Sequence, residues 1–236
     1  MLLKDPSERK MPHSSFYYPL RGGIQTMVDA IADGMDIRYN TNITKICKRG
    51  RKWVIDEEEE VDQIVSTIPL PLLPAVMELP AEIVQSIYRL KYNSLSTVLF
   101  ECPKTDITWL YIPSHAYKSH RVGYQSTLTP YGCPVSDRSC GALEIIGKPI
   151  EDPEALAHRH DILPEELGYT ETLDYEFTEY AYVIHDRKYR DSITAVKAYF
   201  SENDSFHLLG RWGTWNYKNM DLCMADAMQL AKELTL

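Results

Sequence analysis

None of the eleven glycines falls into Gly-x-Gly-x-x-Gly, Gly-x-x-x-x-Gly-Lys or Gly-x-Ser-x-Gly spacing. The chain therefore carries no dinucleotide fingerprint, no P-loop and no hydrolase nucleophile elbow. Its five cysteines, at 47, 102, 133, 140 and 223, form no Cys-x-x-Cys. An odd, scattered set argues against a zinc knuckle or a disulfide framework, and the expectation is a reduced, cytoplasmic chain. Positive charge is scarce: 25 Lys and Arg face 34 Asp and Glu, for a net charge of −9. That balance excludes a general nucleic-acid binder, which needs a basic face. No apolar run approaches the ~20 residues of a membrane-spanning helix, and the first twenty residues hold no apolar signal core.

What is present is ordinary for a folded chain: 236 residues, 44% apolar and 25% charged, without repeats or low-complexity stretches. The length allows one large or two small domains. After an extended first twenty residues, Ile24, Met27, Val28, Ile31 and Ala32 recur at helical spacing behind Gly22-Gly23. They predict a helix over 24–34, ended by Gly34. Short strands are expected at 36–39, 43–48 and 53–55, with a hairpin turn at Arg49-Gly50-Arg51. The acids of 57–60 read as a solvated loop, and 64–67 as a strand running into a proline-rich loop. A helix follows over 80–90, then strands at 98–101, 109–112, 121–126 and 142–146. Residues 152–168 read as helical with a break at Pro164, 181–185 as a strand and 189–200 as a helix. The chain closes with a glycine-rich loop over 210–213, Asn219 as N-cap, and a helix over 220–234 striped by Met220, Cys223, Met224, Ala227, Ala231 and Leu234.

Two of these features suit anions. Gly22-Gly23 ahead of a helix exposes backbone N–H groups at a positive helix end, although such a pair also serves simply as a tight turn. Gly210-Arg211-Trp212-Gly213 ahead of the Asn219 cap adds an arginine, a bidentate phosphate donor or an ordinary surface side chain. His158-Arg159-His160 sits in a stretch read as helix, where positions two apart diverge, so no metal site is expected there or elsewhere.

The order Tyr18-Pro19-Leu20-Arg21-Gly22-Gly23, Ile43, Val65-Ser66-Thr67-Ile68-Pro69 and Gly210-Arg211-x-Gly-x-Trp-x-Tyr-x-Asn-Met-Asp resembles the C-terminal half of the flavoprotein superfamily of amine oxidases, protoporphyrinogen oxidase and UDP-galactopyranose mutase. The terminal RWGTWNYKNMD segment and the stretch TWLYIPSHAYKSHRVGYQS are most similar to the mutase-like branch met in polysaccharide biosynthesis. The resemblance implies an α+β chain, α/β in the full family. Residues 1–77 and 209–236 would be a partial FAD-binding domain lacking the N-terminal Gly-rich loop. Residues 78–208 would be a substrate domain with a mixed, largely antiparallel sheet and helices.

It implies FAD as cofactor, with Gly22, Gly23, Ile43, Thr67, Pro69, Gly210, Arg211, Asn219, Met220 and Asp221 on the cofactor side. Arg211, Trp215, Tyr217 and Tyr182 would meet a nucleotide-sugar-like small molecule, and no residue is assigned as catalytic. Two departures from the mutase pattern stand out. Asn219 replaces an acid, and the strand Tyr180–Ile184 lacks an arginine. The implied activity is that of a FAD-dependent oxidoreductase or mutase-like enzyme of lipopolysaccharide or capsule synthesis. The alternative is a non-catalytic truncated or split half that needs a partner, either an N-terminal FAD-binding half or a second copy. The helices 24–34 and 220–234 are then expected to cover the strand at 64–67, whose edge would otherwise lie open.

Overall fold

The computed structural model describes residues 16–133, 138–203 and 205–235. The first fifteen residues of the expected extended lead-in lie outside that range. The described residues fall into two compact units, one drawn from Met1–Ile37, Thr97–Ile145 and Ile150–Glu176, the other from Arg38–Ser96, Ile146–Pro149 and Phe177–Leu236. These boundaries follow contacts within this chain. The division into 1–77 with 209–236 and 78–208 follows the architecture of a larger family.

In the first unit, α1 (Gln25–Ala32) stands close to its expected place, but it has no buried residue. Val28 and Ile31 of its apolar stripe are 44% and 50% exposed. The sheet here is antiparallel where β6 (Trp109–Tyr111) meets β7 (Ser119–Tyr124) and β7 meets β8 (Arg138–Ile146). With β5 (Lys91–Pro103) and β9 (Glu171–Ile184) the strand order is β6-β7-β8-β5-β9, and the residues of β5 before Thr97 and of β9 after Glu176 belong to the second unit. Val98, Phe100, Val122, Leu143, Leu156 and Ile162 form its core. A one-turn helix, α4 (Gln125–Leu128), follows β7, where the expected strand had run on to 126.

The stretch 152–168 is two 3-10 turns, Glu154–His158 and Glu165–Leu167, and not an α-helix. Pro153 and Pro164 open the two turns, and Gly168, at φ 66°, ends the second. β9 extends ten residues further toward the N-terminus than the strand expected at 181–185. Its Glu171, Asp174, Glu176 and Glu179 are exposed, as suits the outermost strand of a sheet.

In the second unit, β1 (Ile46–Arg49), β2 (Lys52–Ile55) and β3 (Glu59–Val61) make an antiparallel meander. Gly50, at φ 64°, makes the expected hairpin turn. Two acids of the expected 57–60 loop, Glu59 and Glu60, are instead strand residues opposite Ile55 and Val54. Residues 36–39 are not a strand. β4 (Ile64–Ser66) leads to a 3-10 turn, Leu70–Leu72, and α2 (Leu73–Val76). The expected proline loop is thus helical, because its prolines occupy opening positions where no N–H is missed, and Leu70 and Leu73 become fully buried.

Then come α3 (Ala81–Tyr88), α5 (Tyr189–Ser201), β10 (Phe206–Leu208), the single turn α6 (Gly210–Gly213) and α7 (Met220–Leu234). The strand β10 has no counterpart in the sequence reading, and α6 stands where a loop was expected. The core joins Trp53, Leu70, Ile87, Val196, Phe206 and Trp215. α7 packs on α6 and has no buried residue. The expected burial of the 24–34 and 220–234 stripes is therefore not found: neither helix contributes a core residue.

Candidate functional site

The site is built where two parallel strands end. β10 pairs with β4 in parallel, Phe206 opposite Ile64 and Leu208 opposite Ser66, and Leu209 N–H donates to the Ser66 carbonyl at 2.9 Å. Parallel pairing puts both C-terminal ends on one side, the side on which open α/β sheets bind ligands. Thr67 and Pro69 follow the end of β4, while Gly210 and Arg211 follow β10. Gly210, at φ 73°, makes the sharp turn from extended Leu209 into α6. The far end of α6 presses on the same strand end. A Cβ added to Gly213 would fall far inside contact distance of the Ser66 carbonyl oxygen.

From α6 the chain enters an aromatic cluster. Trp215 adopts φ 48°, and its ring is fully buried. It meets Trp212 edge-on at 5.4 Å and Tyr92 edge-on at 6.1 Å. Its carbonyl accepts from the Tyr189 hydroxyl at 2.7 Å. Among the described residues its indole N–H has no acceptor, an exception to the rule that buried polar groups are paired. Tyr217 lies parallel to Tyr182, ring centroids 6.2 Å apart. The Arg211 guanidinium sits 4.7 Å from the centre of the Tyr217 ring, and its Nε donates to the Lys218 carbonyl at 2.8 Å. Among the described residues no carboxylate pairs with it.

Asn219 has the extended backbone of an N-cap (φ −80°, ψ 170°), though its side chain does not cap the first turn, and Asp221 stands in that turn. Lys218 pairs with Asp226. Burial, and then the Lys218 ammonium, push the Lys197 pKa down against the opposing pull of Asp226. The Tyr180 hydroxyl is pushed up to about 12, first by burial and then by Tyr92.

The structure thus gathers Thr67, Pro69, Gly210, Arg211, Trp215, Tyr217, Tyr182, Asn219, Met220 and Asp221 in one unit around one strand end and the helix that follows. Ile43 lies on the exposed stretch ahead of β1. Gly22 and Gly23, at φ 75° and 66°, belong to the first unit, where they turn the chain into α1. Sequence reading missed Tyr92, Tyr189 and Lys218, which buttress the cluster. The density of Trp and Tyr over 212–217 was the available signal, but it does not reveal a partner as distant as Tyr92. His158 and His160 border an open depression of about 470 Å³ in the first unit, and among the described residues no three ligands converge on a metal site.

A parallel strand pair thus ends in a glycine turn, an arginine and a helix N-terminus. A family profile for flavin-containing amine oxidoreductases matches residues 3–131, more than half of the chain, and the chain belongs to that family. No curated protein sequence matches it. Among solved structures, it is similar to a reduced UDP-galactopyranose mutase (17% identity, TM-score 0.69, 85% of this chain and 47% of that one). A putative protoporphyrinogen oxidase from Exiguobacterium sp. 255-15 is also similar (14%, 0.62, 80% and 46%). So is a CLA-producing fatty acid isomerase from P. acnes (12%, 0.61, 91% and 52%). At these identities the likeness is one of fold, and the chain spans about half the length of each. The α+β class is that of these structures. No helix among the described residues is long and apolar enough to cross a membrane.

The residues present fit part of the family's flavin. The N-terminus of α7 suits a group that becomes anionic, and the orphan Trp215 donor awaits an acceptor. The diphosphate cradle of a Gly-x-Gly-x-x-Gly loop is not in this sequence.

Proposed function

We propose that this chain is the C-terminal half of a FAD-dependent oxidoreductase or UDP-galactopyranose-mutase-like enzyme of cell-surface polysaccharide synthesis, acting in the cytoplasm. The observation that carries the reading is the convergence of Thr67, Gly210, Arg211 and the α7 N-terminus at the C-terminal ends of β4 and β10. Residues 1–77 and 209–236 then serve the cofactor, and 78–208 the substrate. Gly210, Thr67, Pro69 and the N–H groups of Asn219, Met220 and Asp221 hold the flavin side, with Ile43 contributing backbone. Bound FAD supplies the hydride and electron-pair chemistry that no side chain here offers. Arg211 meets the phosphates of a nucleotide-sugar-like molecule. Tyr217, beside the Arg211 guanidinium and stacked on Tyr182, meets the same phosphates, and the fully buried Trp215 supports them from the core.

A second reading, a non-catalytic half that needs a partner, rests on a specific observation. The β4–β10 sheet has two strands, and among the described residues neither has a further neighbour. Parallel sheets are normally covered and extended, and an open edge invites pairing with another chain.

A FAD titration followed by flavin fluorescence tests both. Without the fingerprint loop the isolated chain is expected to bind FAD weakly or not at all. The same chain co-purified with a strand–loop–helix partner bearing Gly-x-Gly-x-x-Gly should be yellow, and Arg211→Ala should weaken UDP binding there without bleaching the flavin. Stoichiometric submicromolar FAD binding by the chain alone would overturn the half-enzyme reading. A partner complex that stays colourless would overturn the flavoenzyme reading.

A further inference from the structure

The first unit holds a cluster of thiols that the flavin reading does not use. Cys140, on β8, is buried, and its sulfur lies 2.9 Å from that of half-exposed Cys133. A disulfide bond is about 2.05 Å long, so less than 1 Å of approach separates contact from bond. Both side chains are free thiols, and a third, Cys102, is buried behind them with its sulfur 3.5 Å from the Ser139 carbonyl.

The local fold explains why residues seven apart meet. Tyr124 pairs with Gly141 across the β7–β8 ladder, so α4 begins beside Cys140. The chain then folds back after α4: Gly132 N–H donates to the Thr129 carbonyl at 3.0 Å, and Gly132 is flush against the Gln125 carbonyl, where a Cβ would not fit. Ser126 Oγ donates to Ser139 Oγ at 2.9 Å, fastening α4 to the residue next to Cys140.

We propose that Cys133 and Cys140 are a dithiol–disulfide pair that exchanges with a small-molecule disulfide such as oxidised glutathione. Burial pushes the Cys140 thiol up to about 12 and the Cys102 thiol up to about 11, so the half-exposed Cys133 makes the first attack. Its thiolate displaces one glutathione thiolate and forms a mixed disulfide. Cys140 then gives its proton to solvent and attacks the Cys133 sulfur. The Cys133–Cys140 bond forms, the second glutathione thiolate leaves, and each departing thiolate takes up one proton. Two protein thiols are oxidised and one disulfide is reduced.

The bond would pin the 129–133 turn to β8. That turn already grips the residues ahead of Gly22-Gly23: Thr129 Oγ1 donates to the Leu20 carbonyl at 2.6 Å, and the Arg21 guanidinium lies 3.8 Å from the centre of the Tyr131 ring. The state of the pair therefore sets how firmly that glycine turn is held.

The test is oxidation of the folded chain with excess oxidised glutathione, an acid quench, alkylation and tryptic mapping. Cleavage after Arg138 separates the two cysteines, so the expected product is peptide 122–138 joined by a disulfide to peptide 139–159. Alkylatable thiols should fall from five to three. Cys102→Ser should leave the cross-link intact, and limiting N-ethylmaleimide on the reduced chain should label Cys133 before Cys140. A cross-link from Cys133 to Cys102, Cys47 or Cys223 would overturn the proposal. So would glutathione retained on Cys133 without a cross-link, or prior labelling of Cys140.

Discussion

Trp53 and Trp215 offer a matched experiment on the candidate site. Both belong to the second unit and are buried, at 4% and 0% exposure. Both meet an aromatic neighbour edge-on, Phe206 at 5.2 Å and Trp212 at 5.4 Å. They differ at the indole nitrogen. Trp53 Nε1 donates to Ser205 Oγ at 2.9 Å, whereas Trp215 Nε1 has no acceptor. Replacing either by Phe removes the same ring atoms, at about 1 kcal/mol given roughly 24 cal/mol per Å³ of residual cavity. Trp53→Phe also gives up a hydrogen bond worth about 1 kcal/mol net, for a total loss of about 2 kcal/mol. Trp215→Phe instead relieves a buried unsatisfied donor worth about 1–3 kcal/mol, so its net effect runs from no change to about 2 kcal/mol of stabilisation. The two variants should therefore differ by about 2–4 kcal/mol.

Urea unfolding read by tryptophan fluorescence measures this, since Trp53, Trp212 and Trp215 all report on the second unit, and the slope m should not change. If Trp215→Phe destabilises as much as Trp53→Phe, the indole N–H already has a partner, and the case for a ligand acceptor at that atom falls.

Further outcomes follow from the same geometry. Gly213→Ala drives a methyl group into the Ser66 carbonyl and should cost about 1–3 kcal/mol by overpacking. Gly34→Ala, at φ 76° in open space, should cost only the left-handed strain of about 1–2 kcal/mol, a comparison readable in urea midpoints. Hydrogen bonding to Arg159, with Lys118 assisting, holds the Asp161 carboxyl at about 2. The backbone and hydroxyl donors of Thr44, with the Lys45 N–H, hold Asp56 below the usual carboxylate range. Both folded pKa values are lowered, so the stabilisation is complete above the ordinary carboxyl pKa of about 4 and is lost as pH falls through the folded values. NMR titration of the carboxyl carbons should show both ionised where ordinary carboxyls are protonated, and midpoints near 4 would contradict the contacts.

How much of this was legible depended on how strongly each segment declared its period. Met220, Cys223, Met224, Ala227 and Leu234 repeat at helical spacing, and α7 runs over the expected 220–234. What the period could not show is whether anything covers the stripe. Of the stripe, Met220 and Leu234 remain 50% and 40% exposed. β9 was read as five residues because acids interrupt its apolar positions, yet Thr172, Tyr175, Phe177 and Tyr180 are the half-covered ones. Pro69, Pro71 and Pro74 read as a loop because proline breaks helix interiors, whereas here it opens short turns. At the site, Gly210 and Arg211 were visible as residue types. The packing of Trp215 involves Tyr92, on a strand more than a hundred residues earlier, and Tyr189, on α5.

Several irregularities of the second unit meet at that site, although positive φ also occurs away from it, at Asn40, Gly50, Asp56, Glu57 and Gly147. Gly210 and Trp215, five residues apart, both adopt positive φ, and for a bulky side chain such as Trp215 this is a strained conformation. The same residue buries a donor without an acceptor. Gly213 tolerates no Cβ, and the parallel pair beside it is left at two strands. The positive φ of Trp215 and its unpaired donor destabilise, and the Leu70–Phe206–Trp215 core must offset them. Packing alone gives no reason for them to coincide. A ligand reaching the Trp215 N–H, which is fully buried in the unliganded chain, would satisfy the donor. Sites built for binding break local rules in this way, with the rest of the fold holding the strain. Trp215→Phe should then raise the stability of the unliganded chain while weakening the ligand's hold on it, and that opposition of signs distinguishes a binding device from a packing flaw.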